Sequence, residues 1–222
     1  MCDIHNVCIN FEPDPRIVSY NRRMQNMHVH SKLRAGGFAH PRRNVAALNV
    51  QQGQRIADFG AGSGAYTLAI ADRLGGTGVV YAIDVQRDLL RRIANEATRR
   101  GYRNVEVIWS DLEVPRASKL ADHSMDLVLI SNLLFQVPDK LPILREARRI
   151  IKGGGNVVII DWADPTSAHS HGEGSIGPRK DDIINKGAAL EFARKSGLEF
   201  VREFAAGAHH YGLIFRPIPI SS

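Results

Sequence analysis

The sequence predicts a doubly wound α/β fold whose seven-stranded sheet has six parallel strands and a reversed last strand. Short β-branched runs alternate with single amphipathic helices from residue 54 onward, which is typical of parallel strands joined by right-handed crossovers. A glycine-rich turn joins the first of these strands to the next helix. Only four residues separate the last two strands. Because no crossover helix fits in so short a link, the seventh strand is expected to run antiparallel to the sixth.

The strand and helix limits follow from hydrophobic periodicity and from breaker residues. Pro41 suits the start of a helix whose Val45 and Leu48 face inward. The remaining elements are predicted, in chain order, as strand 55–59, helix 65–74, strand 79–83, helix 86–100, strands 105–109 and 126–130, helix 140–151, strand 156–161, helix 181–196, and strands 198–204 and 209–215.

Two local patterns support these limits. In the helix over 86–100, four apolar residues recur on one face, namely Leu89, Leu90, Ile93 and Ala97, as expected of a helix packed on a sheet. The glycine triplet 153–155 is expected to end the helix before it, because glycine is the usual residue beyond a helix C-terminus.

The composition is that of a globular protein able to bury its own core. Hydrophobic residues make up 44% of the 222 residues and charged residues 23%, near the averages for globular domains. No apolar stretch reaches the roughly 18 residues of a membrane helix, and the N-terminus has no apolar signal core. Neither a membrane span nor secretion is therefore expected. The only cysteines are Cys2 and Cys8, which favours a cytoplasmic location.

The positive charge is concentrated near the N-terminus. Residues 1–43 hold seven Lys or Arg and three Asp or Glu, which is +4 of the net charge of +6. A basic arm can meet an anionic partner or remain a solvated tail, and both interpretations stay open. We predict an N-terminal extension over 1–35 and a main domain over 36–222.

The segment before the main domain has an apolar face of its own. A helix is predicted over 16–34, because four apolar residues recur at spacings of three and four, namely Ile17, Tyr20, Met24 and Met27. The pair Gly36-Gly37 then breaks the pattern. We expect residues 16–41 to cover the site described next, with Phe38 and His40 nearest to it. A tail packed elsewhere, or held by another subunit, is the alternative.

The glycine-rich turn over residues 60–64 lies where the first strand becomes a helix. Glycines let a backbone approach a ligand closely, and open sheets bind ligands beyond the carboxyl ends of their strands. The spacing G-x-G-x-x-A fits the dinucleotide fingerprint loosely, so two cofactors compete. Asp58 favours S-adenosylmethionine, since its carboxylate would repel a pyrophosphate and attract the ammonium group of a methionine moiety.

Polar residues at the ends of three further strands agree with this interpretation. Asp84 ends the second strand, about 20 residues after the glycines, where an acid accepts both ribose hydroxyls. Asp111 can accept from the adenine amine, although a helix cap and a turn aspartate are the ordinary alternatives for these two acids. The predicted cofactor-binding residues are Asp58, Gly60, Ala61, Gly62, Asp84, Val85, Asp111, Leu112, Ser131 and Asn132.

These residues resemble the class I S-adenosylmethionine-dependent methyltransferases, most closely the branch of the ubiquinone- and menaquinone-biosynthesis type. The resemblance covers residues 36–216 and depends on the glycine turn, Asp84, Asp111-Leu112 and the helix–GGG–strand run over 145–161. It implies a Rossmann-like sheet, S-adenosylmethionine as cofactor and methyl transfer to a small-molecule acceptor. It also implies cofactor roles for six residues, namely Asp58, Gly60, Gly62, Asp84, Asp111 and Asn132. That branch methylates several kinds of atom, so the acceptor is not identified.

The acceptor is expected at the same edge of the sheet. Its predicted pocket consists of Phe38, Phe135, Trp162 and Tyr211. A general base is needed only if the acceptor arrives protonated, and the candidates are His40, His209 and His210. The loop after the fifth strand holds His169, His171 and Glu173 and is expected to act as a lid. Packing remains the alternative role for Trp162, and an ordinary surface or strand position the alternative for the histidines.

Other functions are weighed against methyl transfer to a small molecule. The basic arm and a group of arginines would suit an RNA or protein methyltransferase; the group is Arg91, Arg92, Arg99, Arg100 and Arg103. However, residues 131–134 are not the Asn/Asp-Pro-Pro-aromatic sequence of base-amine methylases. A noncatalytic cofactor-binding module and a homo-oligomer are left open. No metal is expected, because the spacing of Cys2, His5 and Cys8 matches no zinc pattern.

Overall fold

The computed structural model describes residues 39–163, 178 and 180–219. The helix predicted over 16–34, Phe38 and the loop residues His169, His171 and Glu173 lie outside the described residues. The described elements are α1 Pro41–Ala47, β1 Arg55–Phe59, α2 Ala65–Leu74, β2 Val79–Asp84, α3 Arg87–Arg99, β3 Val105–Trp109, β4 Met125–Ser131, a 3₁₀ turn Leu134–Gln136, α4 Leu141–Ile150, β5 Ile151–Trp162, a 3₁₀ turn Lys180–Asp182, α5 Lys186–Lys195, β6 Leu198–Ala205 and β7 His210–Pro217.

The seven strands form one sheet in the order β3-β2-β1-β4-β5-β7-β6. The contacts between β1, β2, β3, β4 and β5 are parallel, whereas β7 runs antiparallel to both β5 and β6. The predicted arrangement of six parallel strands and a reversed seventh is therefore confirmed. The chain reverses its direction across the sheet between β1 and β4, which places the carboxyl ends of these two strands side by side.

Helices cover both faces of the sheet, because each central strand is apolar on both sides. Val45 of α1 and Ile70 of α2 pack on one face, against strand residues such as Ile56. Leu144 of α4 packs on the other face with Phe59. Each such buried side chain contributes roughly 1.5–3 kcal/mol of hydrophobic stabilisation. The core thereby holds the strand ends, and the loops that extend from them, in place.

The glycine triplet over 153–155 does not end a helix, so that prediction is wrong. The helix α4 ends earlier, since Ile151 is already extended and pairs with Met125 of β4. The triplet instead lies inside the twelve-residue strand β5. A Cβ atom on Gly155 would lie 2.9 Å from the carbonyl oxygen of Asp126. Close approach of two strands, rather than helix termination, is therefore the reason for glycine at that position.

The helix predicted over 181–196 is shorter than expected and is preceded by a separate turn. The structure has a 3₁₀ turn over Lys180–Asp182 and then α5, which begins at Lys186. The Asn185 side chain accepts a 2.9 Å hydrogen bond from the Ala188 backbone N–H. This N-cap satisfies one of the free N–H groups of the first turn and sets the helix start.

None of the helices in the described part of the chain is both long and apolar enough to cross a membrane.

Candidate cofactor and acceptor site

The glycine turn between β1 and α2 has a backbone that other residues adopt only at a cost. Gly60, Gly62 and Gly64 have φ angles of +69°, +52° and +78°, in the left-handed region that glycine enters without strain. The N–H groups of Gly60 and Ala61 both donate to the Ile83 carbonyl oxygen, at 2.8 and 3.1 Å. The turn is thereby anchored to the end of β2.

Asp84 connects the end of β2 to this turn. Its Oδ2 accepts a 2.8 Å hydrogen bond from the Gly62 N–H, and its Oδ1 accepts a 2.8 Å bond from the Gln86 N–H. The residue is only 3% exposed. These two bonds hold the carboxylate at the entrance of α3, directly beside the glycine turn; its ribose-binding role stays a prediction.

Asp58 lies in β1, 2% exposed, and its carboxylate is held by α2. The Thr67 hydroxyl donates to Asp58 Oδ2 at 2.6 Å. The pKa of Asp58 is raised to about 6, chiefly by burial; the hydrogen bonds from Thr67 oppose this rise, and the negative charge of Asp84 adds to it. No cationic side chain among the described residues pairs with Asp58. Its ionised form would therefore be stabilised by a cation that the described residues do not supply.

The predicted adenine residues lie at the sheet edge beside Asp84. Leu112 is buried, whereas Asp111 is exposed and accepts a 3.0 Å hydrogen bond from the Glu113 N–H in its own turn. Trp109, which is 49% exposed, donates from Nε1 to the Val85 carbonyl oxygen at 3.0 Å. The indole thus fixes the backbone immediately after Asp84.

The Arg87 guanidinium also packs on the face of the Trp109 ring. The Arg87 guanidinium carbon lies 3.7 Å from the ring centroid, an arrangement favoured by the charge distribution of the aromatic ring. Sequence reasoning missed both residues, because the pairing of β3 with β2 is what brings Trp109 beside the entrance of α3.

The end of β4 contributes buried polar atoms, one of which has no hydrogen-bond partner among the residues that the structure describes. Asn132 has a φ angle of +51°, an uncommon conformation that asparagine tolerates better than most residues, and its N–H donates 2.8 Å to the Ile160 carbonyl oxygen. Asn132 Oδ1 is buried and lacks a hydrogen-bond partner among the described residues, whereas the buried Ser131 Oγ lies near the Tyr66 hydroxyl without a close hydrogen bond to it. Buried polar atoms are rarely left without one, so this end of β4 has the character of a ligand site.

A second polar group beside the glycine turn was also missed in the sequence. Asn44 of α1 donates from Nδ2 to the Tyr66 hydroxyl at 2.7 Å and to the Ala206 carbonyl oxygen at 3.0 Å. Burial raises the pKa of Tyr66, an effect that Asn44 and Ser131 partly offset. Only the tertiary fold brings α1, the first turn of α2 and the segment before β7 together.

The residues predicted to bind the acceptor lie where β5 ends and β7 begins. Trp162 pairs with His210 across these antiparallel strands, and their ring centroids lie 4.5 Å apart. Burial, together with the neighbouring His209, lowers the pKa of His210 to about 4. The His210 ring is therefore neutral at physiological pH.

The other predicted acceptor residues are placed as follows. Tyr211 is buried and donates from its hydroxyl to the Ile184 carbonyl oxygen at 3.0 Å. Phe135 is buried in the turn after β4. Next to β7, the His209 carbonyl oxygen accepts a 2.9 Å hydrogen bond from the Ala163 N–H. His40 is exposed at the N-cap of α1. The roles of these residues stay predictions.

An open α/β sheet with a glycine turn and buried acids at the ends of β1 and β2 defines a cofactor-binding protein of the doubly wound class. The sequence profile of the family described as "Methyltransferase domain" matches residues 51–184, which is more than half of the chain. The chain belongs to this family, so the resemblance inferred from the sequence is confirmed.

Curated relatives of the chain match it in part. A demethylmenaquinone methyltransferase of Anoxybacillus flavithermus is 32% identical over 120 residues, which is 54% of this chain and 49% of that protein. The chain spans about half the length of the curated relatives it matches.

Solved structures share the fold at low sequence identity. A SAM dependent methyltransferase from Aquifex aeolicus is 22% identical, with a TM-score of 0.72 over 89% of this chain and 98% of that chain. The cyclase SpnF is 17% identical, with a TM-score of 0.67 over 92% and 95%. These likenesses concern the fold, and one fold can host different reactions.

The residues at the site fit S-adenosylmethionine. The carboxylate of Asp58, buried and without a cationic partner among the described residues, suits the ammonium group of its methionine moiety. Asp84 is a backbone-oriented acceptor suited to ribose hydroxyls, and the cradle at Gly60 has no room for a side chain, because a Cβ atom there would lie 2.9 Å from Leu133 Cδ1. No cluster of potential metal ligands occurs within the described ranges.

Proposed function

We propose that the protein binds S-adenosylmethionine and transfers its methyl group to a small-molecule acceptor by in-line displacement. The single observation that carries the proposal is Asp58. Its ionised form is destabilised by burial and has no cationic partner among the described residues. A nicotinamide dinucleotide would bring a pyrophosphate to the glycine turn and add negative charge beside Asp58, whereas an amino-acid ammonium group would neutralise this carboxylate.

The bound cofactor supplies a methyl group that is already activated on a sulfonium. The chain binds and orients both reactants. Such positioning alone can lower the activation free energy of the transfer by several kcal/mol. In this proposal Asp84 accepts from the ribose hydroxyls, Asp111 and Leu112 bind the adenine, and Asn132 lines the methionine half. Val85, which is held by Trp109, completes the ribose end of the site.

The acceptor is proposed to be small and at least partly planar. Trp162 and His210 form a buried aromatic pair at the end of β5, and such a pair suits an aromatic or conjugated molecule that packs beside it. The curated relatives are named as methyltransferases of demethylmenaquinone, a name that agrees with such an acceptor. The proposal places the chain in the cytoplasm, in agreement with its cysteine usage.

Nucleic acid is the less favoured acceptor. Three of the five arginines on and just after α3 pair with acids of that helix: Arg91 lies 3.0 Å from Asp88, and Arg99 and Arg100 lie 2.6 and 2.7 Å from Glu96. The helix covers a face of the sheet rather than the carboxyl edge. These arginines therefore provide little unpaired positive charge near the proposed site.

Two measurements test the proposal. Titration calorimetry of the full chain should show binding of S-adenosylmethionine and of its demethylated product in the micromolar range, and no binding of NADH. A metabolite extract incubated with the chain and methyl-labelled S-adenosylmethionine should yield a labelled small molecule. Binding of NADH in preference to S-adenosylmethionine would contradict the cofactor. Binding without any labelled product would favour the noncatalytic module instead.

A further inference from the structure

The last residues of β5 hold a carboxylate that the cofactor does not need. Asp161 is 1% exposed and lies on the α4–α5 face of the sheet, opposite Tyr211 in the β5–β7 pairing. Its Oδ1 accepts a 2.8 Å hydrogen bond from the Trp162 N–H. Its Oδ2 is buried and makes no close hydrogen bond within the described residues, although the backbone N–H groups of Leu134 and Phe135 lie near the carboxyl group. A buried carboxylate oxygen without a donor is costly.

A second unpartnered oxygen lies on the neighbouring strand. Ser131 of β4 pairs with Ile160 of β5, so Asn132 and Asp161 are the next residues along two adjacent strands. Asn132 Oδ1 is also buried and without a partner among the described residues. Both atoms are hydrogen-bond acceptors. The arrangement therefore suits a ligand that donates, such as a hydroxyl or an N–H group.

We propose that Asp161 is the proton acceptor for a methyl acceptor that carries a hydroxyl or N–H group. This inference rests on the proposed methyltransferase function and deepens it, because it states the chemical class of the acceptor. Asn132 would accept from the same donor and orient it toward Asp161 Oδ2.

The proposed step balances in atoms and charge. The O–H or N–H bond of the acceptor breaks and its proton passes to Asp161 Oδ2, while the electron pair stays on the acceptor. The acceptor then forms a bond to the methyl carbon, and the carbon–sulfur bond of the sulfonium breaks with its electron pair on sulfur. One carboxylate and one sulfonium become a carboxylic acid and a neutral thioether. The proton leaves Asp161 for water before the next turnover.

The surroundings of Asp161 shift its pKa toward neutral pH, as a proton acceptor requires. Burial raises its pKa to about 7, and nearby backbone N–H groups and the positive charge of Lys140 partly offset that effect. Among the described residues, the charged or titratable groups near it are Lys140, which precedes α4, and Tyr211 on β7, with His209 and His210 preceding Tyr211. A base that titrates near neutral pH is half ionised there and transfers protons efficiently.

Asp161→Asn removes the charge at nearly constant shape and provides the main test. We expect it to bind S-adenosylmethionine as tightly as the unmodified chain and to lower the labelled product formed from a metabolite extract by about 100-fold or more. The rise of the unmodified chain's kcat/KM through neutral pH should disappear. Asp161→Glu should restore part of the rate. Asp126→Asn is the matched control: Asp126, at the opposite end of β4, pairs with Lys152 at 2.6 Å, and its loss should leave the pH profile unchanged.

A second readout does not depend on turnover. Carbon-13 NMR of the full chain labelled at the aspartate carboxyls should show a resonance that titrates near pH 7 and is absent from Asp161→Asn, whereas the resonance of Asp58, which titrates near pH 6, should remain. Titration of Asp161 at the ordinary aspartate value, or equal turnover of Asp161→Asn and the unmodified chain, would overturn the proton-acceptor role. Failure of the unmodified chain to bind S-adenosylmethionine would overturn the proposed function instead, so the two failures are distinguishable.

Discussion

The Gly62 backbone N–H and the Asp84 carboxylate are joined by a 2.8 Å hydrogen bond between the glycine turn and the end of β2. This bond connects two segments that the sequence separates by 22 positions. It gives the carboxylate one orientation before any ligand arrives. Preorganisation of this kind reduces the entropy that binding would otherwise cost.

Asp84→Ala should weaken binding of S-adenosylmethionine. The variant removes the proposed ribose acceptor and also leaves the Gly62 and Gln86 N–H groups without their partner. Loss of hydrogen bonds to a charged acceptor amounts to about 1.5–3 kcal/mol, so the dissociation constant should rise by about 10- to 150-fold. Titration calorimetry measures the change. Asp88→Asn is the control, because Asp88 is exposed and pairs only with Arg91; equal affinities in both variants would remove Asp84 from the site.

Trp109→Phe should weaken cofactor binding by a smaller amount. The variant keeps an aromatic face for Arg87 and removes the 3.0 Å hydrogen bond to the Val85 carbonyl oxygen. A net loss of about 0.5–1.5 kcal/mol is expected, the usual contribution of one hydrogen bond. Phe200→Leu, at the opposite sheet edge, should leave the affinity unchanged. An unaltered dissociation constant in Trp109→Phe would show that the hydrogen bond from the indole to Val85 does not help to position the cofactor.

Gly64→Ala should destabilise the fold more than Gly53→Ala. Both glycines have left-handed φ angles, +78° and +82°, so both variants lose roughly 1–2 kcal/mol from backbone strain. Only at Gly64 would the new Cβ atom meet the core, 2.5 Å from Ile93 Cγ1, which adds about 1–3 kcal/mol of overpacking. Urea unfolding of the two variants measures the difference, and equal free energies of unfolding would contradict it.

Asp58→Asn should stabilise the protein at neutral pH and leave it little changed in acid. The pKa of Asp58 is about 6 in the folded state, against 3.8 for an unperturbed aspartate. Between these values the folded state binds a proton that the unfolded state has released, so the contribution of Asp58 to stability falls as pH rises. Above pH 6 the full penalty is present, on the order of 3 kcal/mol. The asparagine variant lacks this penalty, because its amide side chain does not ionise.

Denaturant unfolding across this pH range tests the sign. The difference in free energy of unfolding between Asp58→Asn and the unmodified chain should grow from about pH 4 to pH 7. Asp72→Asn, at an exposed position of α2, is the control. Its difference in free energy of unfolding from the unmodified chain should not grow over this pH range. A constant difference at all pH values would mean that Asp58 titrates normally. The same stabilised variant should bind S-adenosylmethionine more weakly, because the proposed partner of the ammonium group is lost.

Local sequence determined the parts of this fold that depend on near neighbours. Strand and helix limits such as Arg55–Phe59 and Ala65–Leu74 agree with the pattern, because burial on a packed face imposes its period on the chain. The four-residue link before β7 forced the reversal of that strand. The spacing of Asp58, Gly60 and Asp84 likewise located the candidate site, since strand–turn–helix geometry places these positions together.

Only the tertiary structure decided which distant residues meet. Asp161 lies opposite Tyr211 because β7 inserts between β5 and β6, and no local pattern specifies that order. Asn44 reaches the Ala206 carbonyl oxygen across 162 positions. The physical reason is that strand order and register are set by burial summed over the whole core. The raised pKa of Asp58 has the same origin, since desolvation depends on everything that surrounds a group and not on its neighbours in the chain.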